Sequence, residues 1–120
     1  MIEIEQLQQY LRKFADERDW EKYNSPKNLV MAMSVEMAEL MEHFEWLTEA
    51  QSLDIDLQTR QEVALEMADV MIYLVRMADR CGIDLDDAVQ GKLVLNARKY
   101  PPLNVSMKTK GKCVRIMGVL

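Results

Sequence analysis

Two segments decide how this chain folds: Ser34-Val35-Glu36-Met37-Ala38-Glu39-Leu40-Met41 and Ala64-Leu65-Glu66-Met67-Ala68-Asp69-Val70-Met71. Each sets an acidic pair three residues apart inside strongly apolar, helix-forming sequence. On an α-helix that spacing separates the two side chains by about 60° around the axis, so each pair projects from one face as a clamp. If the two helices pack antiparallel, four carboxylates converge. The spacing alone carries little weight, because Asp16/Asp19, Glu39/Glu42, Glu42/Glu45 and Asp84/Asp87 share it. What distinguishes Glu36/Glu39 and Glu66/Asp69 is their setting on the helical wheel. Leu29, Met33, Leu40, Phe44 and Leu47 flank Glu36, and Val35 and Trp46 flank Glu39. On the later helix Val63, Val70, Leu74 and Met77 lie to one side and Leu65 and Ile72 to the other. The narrow stripe left between them is Glu62, Glu66, Asp69, Tyr73, Arg76 and Arg80, which must face something that satisfies it.

Working outward, helical periodicity at Ile4, Leu7, Leu11 and Phe14 predicts a first helix over residues 4–16. Ser25-Pro26 supplies an N-cap and a proline at the first helical position, predicting a second helix over 26–48. The polar stretch 49–58 reads as a loop, and a third helix is expected over 59–81, closed by Gly82. Asp84 caps a fourth helix over 85–98, which Tyr100-Pro101-Pro102 stops. With these boundaries each clamp sits about 15 Å from the connecting loop, so the two meet at one level of a helical hairpin. The fold class is therefore all-α, a four-to-five-helix bundle built on an antiparallel hairpin. Residues 1–102 form one domain, and residues 103–120 form a basic C-terminal tail that is extended or disordered.

The chain has 120 residues, ten of them methionine, and 49% are hydrophobic. A helical domain of that size leaves apolar surface that oligomerisation would cover, so a homodimer or homotetramer is expected. Twenty acidic against eleven basic residues put positions 1–102 at −9, whereas the last eighteen residues carry +4. The acidic body argues against a nucleic-acid polymer as partner. No apolar run is long enough for a signal peptide or a membrane span, and Cys81 and Cys113 match no metal or disulfide framework, so the cytoplasm is the expected compartment. Oxygen ligands without nearby His or Cys select hard ions, Mg²⁺ or Mn²⁺; the competing reading is that each acid pairs with a Lys or Arg across a subunit interface. The single histidine, His43, is too few for a Glu-x-x-His di-iron bundle. Nucleophilic triads and glycine-rich phosphate loops are absent.

The ordered set Phe14-Ala15-Asp16-Glu17-Arg18-Asp19-Trp20, Pro26-Lys27-Asn28-Leu29, Glu36-x-x-Glu39, Phe44-Glu45-Trp46, Glu66-x-x-Asp69-Val70-Met71-Ile72-Tyr73 and Lys92…Asn96…Lys99-Tyr100-Pro101 resembles the MazG-like all-α nucleoside triphosphate pyrophosphohydrolases, and within them the dCTP pyrophosphatase branch. The resemblance implies Mg²⁺-dependent hydrolysis of a (deoxy)nucleoside triphosphate, dCTP or a modified cytosine nucleotide, to monophosphate and pyrophosphate. It implies that Glu36, Glu39, Glu66 and Asp69 are the catalytic metal ligands. It further implies substrate contacts from Trp20, Trp46 and Tyr73 around the base, from Lys92 and Asn96 on phosphate and sugar, and from Asn28 and Arg80. Two departures stand out: Val35 and Leu65 occupy positions where many relatives carry additional glutamates, and Glu62, one turn before Glu66, is a possible substitute. A dUTP or broad-specificity enzyme, and a non-catalytic helical interaction module, are the alternatives.

Overall fold

The computed structural model describes residues 1–103; the part of the expected C-terminal tail from residue 104 onward lies outside them. The described residues contain five α-helices: α1 (Ile4–Glu17), α2 (Pro26–Glu42), α3 (Glu49–Ser52), α4 (Leu57–Cys81) and α5 (Leu85–Lys99), with a 3₁₀ turn at Glu21–Tyr23. The all-α expectation holds. None of these helices is long and apolar enough to cross a membrane. The chain divides into two compact units, Met1–Ile83 and a second beginning at Asp84, which holds α5.

In the first unit α2 and α4 form the hairpin, and α1 packs on α4. Their antiparallel sense follows from who meets whom: His43 near the end of α2 approaches Glu62 early in α4, whereas Leu29 near the start of α2 shares a cavity wall with Tyr73 far along α4. The core of this unit comprises Ala15, Leu29, Val63, Val75 and Ala78, with Val75 only 1% exposed. Each buried aliphatic side chain of valine or leucine size contributes about 1.5–3 kcal/mol relative to an exposed one. α4 is not buried all round. Leu65, Met67 and Leu74 on α4, and Val30, Met31, Val35, Met37 and Met41 on α2, are exposed in the single chain.

The termini show why the helices sit where they do. Ser25 accepts a hydrogen bond from the Asn28 backbone N–H at 3.2 Å, with Pro26 opening α2 as expected. Gly82 takes the left-handed conformation (φ 66°) and closes α4, and the Ile83 N–H reaches back to the Ala78 carbonyl at 2.8 Å. Asp84 caps α5 by accepting from the Asp87 N–H at 3.1 Å.

The connection between α2 and α4 differs from the sequence expectation. α2 ends at Glu42, not at 48: the Phe44 N–H bonds to the Met41 carbonyl and the Leu47 N–H to that of Phe44, both at 2.9 Å, tightening the chain into turns. The expected loop 49–58 holds α3, started by a capping box in which Thr48 accepts from the Gln51 N–H at 3.1 Å and the Gln51 side chain accepts from the Thr48 N–H at 2.9 Å. α4 then begins two residues early because Asp56 accepts from the Thr59 N–H at 2.7 Å. The equal helix lengths from which the level of the clamps was expected therefore do not occur. α2 is shorter and α4 longer, and the folded connection makes up the difference.

Candidate active site

The carboxylate pairs meet. Glu36 and Glu39 from α2 and Glu66 from α4 each offer an oxygen, and the three oxygens lie within 4.8 Å of one another. Asp69 stands just outside this close group, and its charge acts on both Glu36 and Glu66. Such proximity is costly for anions. Burial, then the Glu39 charge, hydrogen bonding with Glu66 and the charges of Asp69 and Glu66 push the Glu36 carboxyl up to about 7. Glu66 is raised as well, first by burial and then by the Glu39 charge.

One oxygen of Glu66, Oε2, is buried with no hydrogen-bond partner among the described residues. No lysine or arginine of the described residues forms an ion pair with Glu36, Glu39, Glu66 or Asp69. An orphaned buried acceptor inside an all-oxygen, unneutralised group is the donor set that suits a hard divalent cation. Glu62 does not join it; its side chain accepts from Gln58 at 3.4 Å and lies 3.9 Å from His43 Nδ1.

Beside the carboxylates is a cavity of about 200 Å³ lined by Trp20, Asn24, Asp69, Ile72, Tyr73 and Arg76, with Leu11, Phe14, Ala15 and Leu29 behind them. Asp69 lines the cavity, and its charge reaches the carboxylates. Tyr73 links them electrostatically: burial and the charges of Glu36 and Asp69 raise its phenol above the usual value. Trp20 meets Phe14 edge-on at 5.6 Å, and Arg18 lies over the Phe14 ring, 3.4 Å from its centroid. Asp19, at φ 55°, provides the sharp turn that brings Trp20 back against α1, with the Trp20 N–H bonded to the Ala15 carbonyl at 2.9 Å.

Arg76 is the one buried charged residue among those described, 4% exposed. Its Nε donates to Asn24 Oδ1 at 3.1 Å, and its terminal nitrogens donate to Asp79 at 3.2 Å and Glu21 at 2.5 Å. Arg80 also pairs with Glu21, and Arg12 with Asp79, whose carboxyl is held below the usual range chiefly by the Arg12 hydrogen bond. The lower half of the α4 stripe is thus satisfied within the chain by the 3₁₀ turn and α1.

Of the other residues expected at the site, Asn28 is spent on local structure, its Nδ2 donating to the Tyr23 carbonyl at 3.1 Å. Trp46 lies on the turn after α2, 87% exposed and away from the cavity. Lys92 and Asn96 lie one helical turn apart on α5, exposed and half-buried respectively. The sequence reading did not foresee the Glu21–Arg76–Asp79 network. Its members are up to 58 residues apart, between Glu21 and Asp79, and no local pattern marks them.

Comparison with known proteins agrees with this geometry. dCTP pyrophosphatase 1 of Homo sapiens is 41% identical over 100 residues, covering 82% of this chain, and that of Mus musculus is 38% identical over the same share. The chain spans 59% of the length of these curated relatives. A crystal structure of a pyrophosphatase from Archaeoglobus fulgidus superposes with a TM-score of 0.78 at 40% identity, covering 85% of this chain and 95% of that one. The MazG-like family profile matches residues 31–110, and the chain belongs to the MazG-like family.

Proposed function

We propose that this protein hydrolyses a deoxynucleoside triphosphate to the monophosphate and pyrophosphate, removing unwanted nucleotides from the pool, with dCTP or a cytosine-modified analogue as its substrate. The observation that carries the reading is the buried, unpartnered Glu66 Oε2 within a close group of three carboxylates that adjoins an aromatic cavity. Support comes from the relatives named dCTP pyrophosphatase 1 and from the pyrophosphatase structure.

Glu36, Glu39 and Glu66 would hold Mg²⁺, with Asp69 completing the anionic floor. When bound, the ion supplies positive charge against the phosphate oxygens and acidifies the attacking water. Glu36, Glu39 and Glu66 thereby turn an acidic surface into one that accepts a polyanion. A carboxylate oxygen left over from ion binding orients the water toward the α-phosphorus and takes its proton. Tyr73 and Trp20 enclose the base, and the shared wall at Asp69 sets the triphosphate toward the carboxylates. Arg80 on α4 is a further proposed substrate contact, and Lys92 and Asn96 on α5 are proposed as phosphate- and sugar-contacting residues of the second unit. The exposed apolar residues of α2 and α4 pack against further copies of the chain, giving a dimer or tetramer.

Incubation with each of the four dNTPs and dUTP in the presence of Mg²⁺, followed by separation of mono- and diphosphate products, tests the proposal. Monophosphate and pyrophosphate from dCTP first is the expected result. Equal turnover of all substrates would make the enzyme a broad-specificity one, and no turnover of any would leave a non-catalytic helical module.

A further inference from the structure

The cavity wall contains one polar group whose orientation is dictated by chemistry. An arginine has only donors, so the Asn24 amide must turn its oxygen toward Arg76 Nε, 3.1 Å away. Arg76 takes one lone pair of that oxygen and fixes the plane of the amide, and no described residue accepts from the Nδ2 amino group, which is the part of Asn24 left to a ligand in the cavity it lines. Arg76 is itself unsuited to contact a phosphate, being 4% exposed with its charge answered by Glu21 and Asp79.

Resting on the assignment of this cavity to the base, we infer that Arg76 is a positioning residue that fixes Asn24 to present its amino group as a donor, so that the cavity selects a nucleobase edge carrying two adjacent acceptors. On the hydrogen-bonding edges of the pyrimidines that description fits cytosine, whose O2 and N3 are neighbouring acceptors. Uracil and thymine place an N3–H donor between their two carbonyls, and that donor would face the Asn24 amino group. Arg76 thereby sets discrimination without touching the nucleotide. The same guanidinium fixes the 3₁₀ turn that carries Asn24, through Glu21.

The test is calorimetric titration with the product nucleotides dCMP and dUMP, comparing wild type with Asn24→Asp and Arg76→Lys. The wild type should bind dCMP about tenfold more tightly than dUMP, the scale of one hydrogen bond gained against one donor clash. Asn24→Asp keeps an acceptor for Arg76 but loses both N–H groups, and should abolish or invert that ratio. Arg76→Lys retains the charge, loses the Nε donor and should narrow the ratio. A merely structural role would weaken both nucleotides alike and leave the ratio unchanged; that result, or equal affinity in the wild type, overturns the inference. Because no turnover is needed, a failure to hydrolyse dCTP would count against the proposed activity while the ratio stayed readable.

Discussion

Consider the protein without divalent ions and replace Glu36 by glutamine. In the folded chain the Glu36 carboxyl is pushed up to about 7 from an ordinary 4.5. The folded state therefore holds more protons than the unfolded state between those values, and stability falls as pH rises through that window. Below about 4.5 the carboxyl is neutral in both states and costs nothing extra; above 7 the ionised form bears the full repulsion. At 1.36 kcal/mol per pK unit, and after screening at a site open to solvent on one side, the charge costs the fold about 1–2 kcal/mol. Glu36→Gln removes that cost, so in EDTA at pH 8 the variant should melt roughly 3–8 °C above wild type, and the gap should close toward pH 5. Excess Mg²⁺ should reverse the order. Saturation a hundredfold above Kd stabilises the wild type by about 2.7 kcal/mol, and the variant by much less. Circular dichroism melts at the two pH values, with EDTA or Mg²⁺, measure all four terms. A metal-free variant no more stable than wild type at pH 8, or equal stabilisation of both by Mg²⁺, would refute the reasoning.

Two further perturbations probe the frame around the site. Arg76→Met removes the partner of the Asn24 oxygen and one of the two partners of both Glu21 and Asp79 from a position 4% exposed; urea denaturation should show a loss of about 3 kcal/mol, and a loss below about 1 would mean the network is not structural. Gly82→Ala introduces a side chain at φ 66° with open space around it, so the cost is backbone strain alone, about 1 kcal/mol by the same measurement, and an unchanged midpoint would contradict the left-handed cap of α4.

The features legible in the sequence were those written in short-range chemistry. Ser25-Pro26, Gly82 and Asp84 mark ends that depend on residues within one turn, and the apolar arcs around Glu36 and Glu66 picked the two clamps out of six acidic pairs of equal spacing. The end of α2 was misread because Phe44 and Leu47 continue its apolar spacing beyond Glu42, although Thr48-x-x-Gln51 and Asp56-x-x-Thr59 carried the restart signals. That error matters for the site: it put Trp46 on a helix, whereas the tryptophan sits exposed on a turn. The meeting of three carboxylates survived because it depends on pairing of α2 with α4, not on equal helix lengths. Arg76 lay beyond sequence reasoning for a different cause. On the wheel it is one more charge on a polar stripe, and only the return of the 3₁₀ turn onto α4 shows that it is buried and what it holds.

The central claim is that the clamps of α2 and α4 are the metal-dependent hydrolytic centre. Pyrophosphate release from dCTP with Mg²⁺, measured for wild type, Glu36→Gln and Asp69→Asn alongside their helical circular dichroism, tests it most directly. The account predicts release by the wild type and a loss of about 100-fold or more in each variant with the helical signal intact. Retained activity in both folded variants would contradict it.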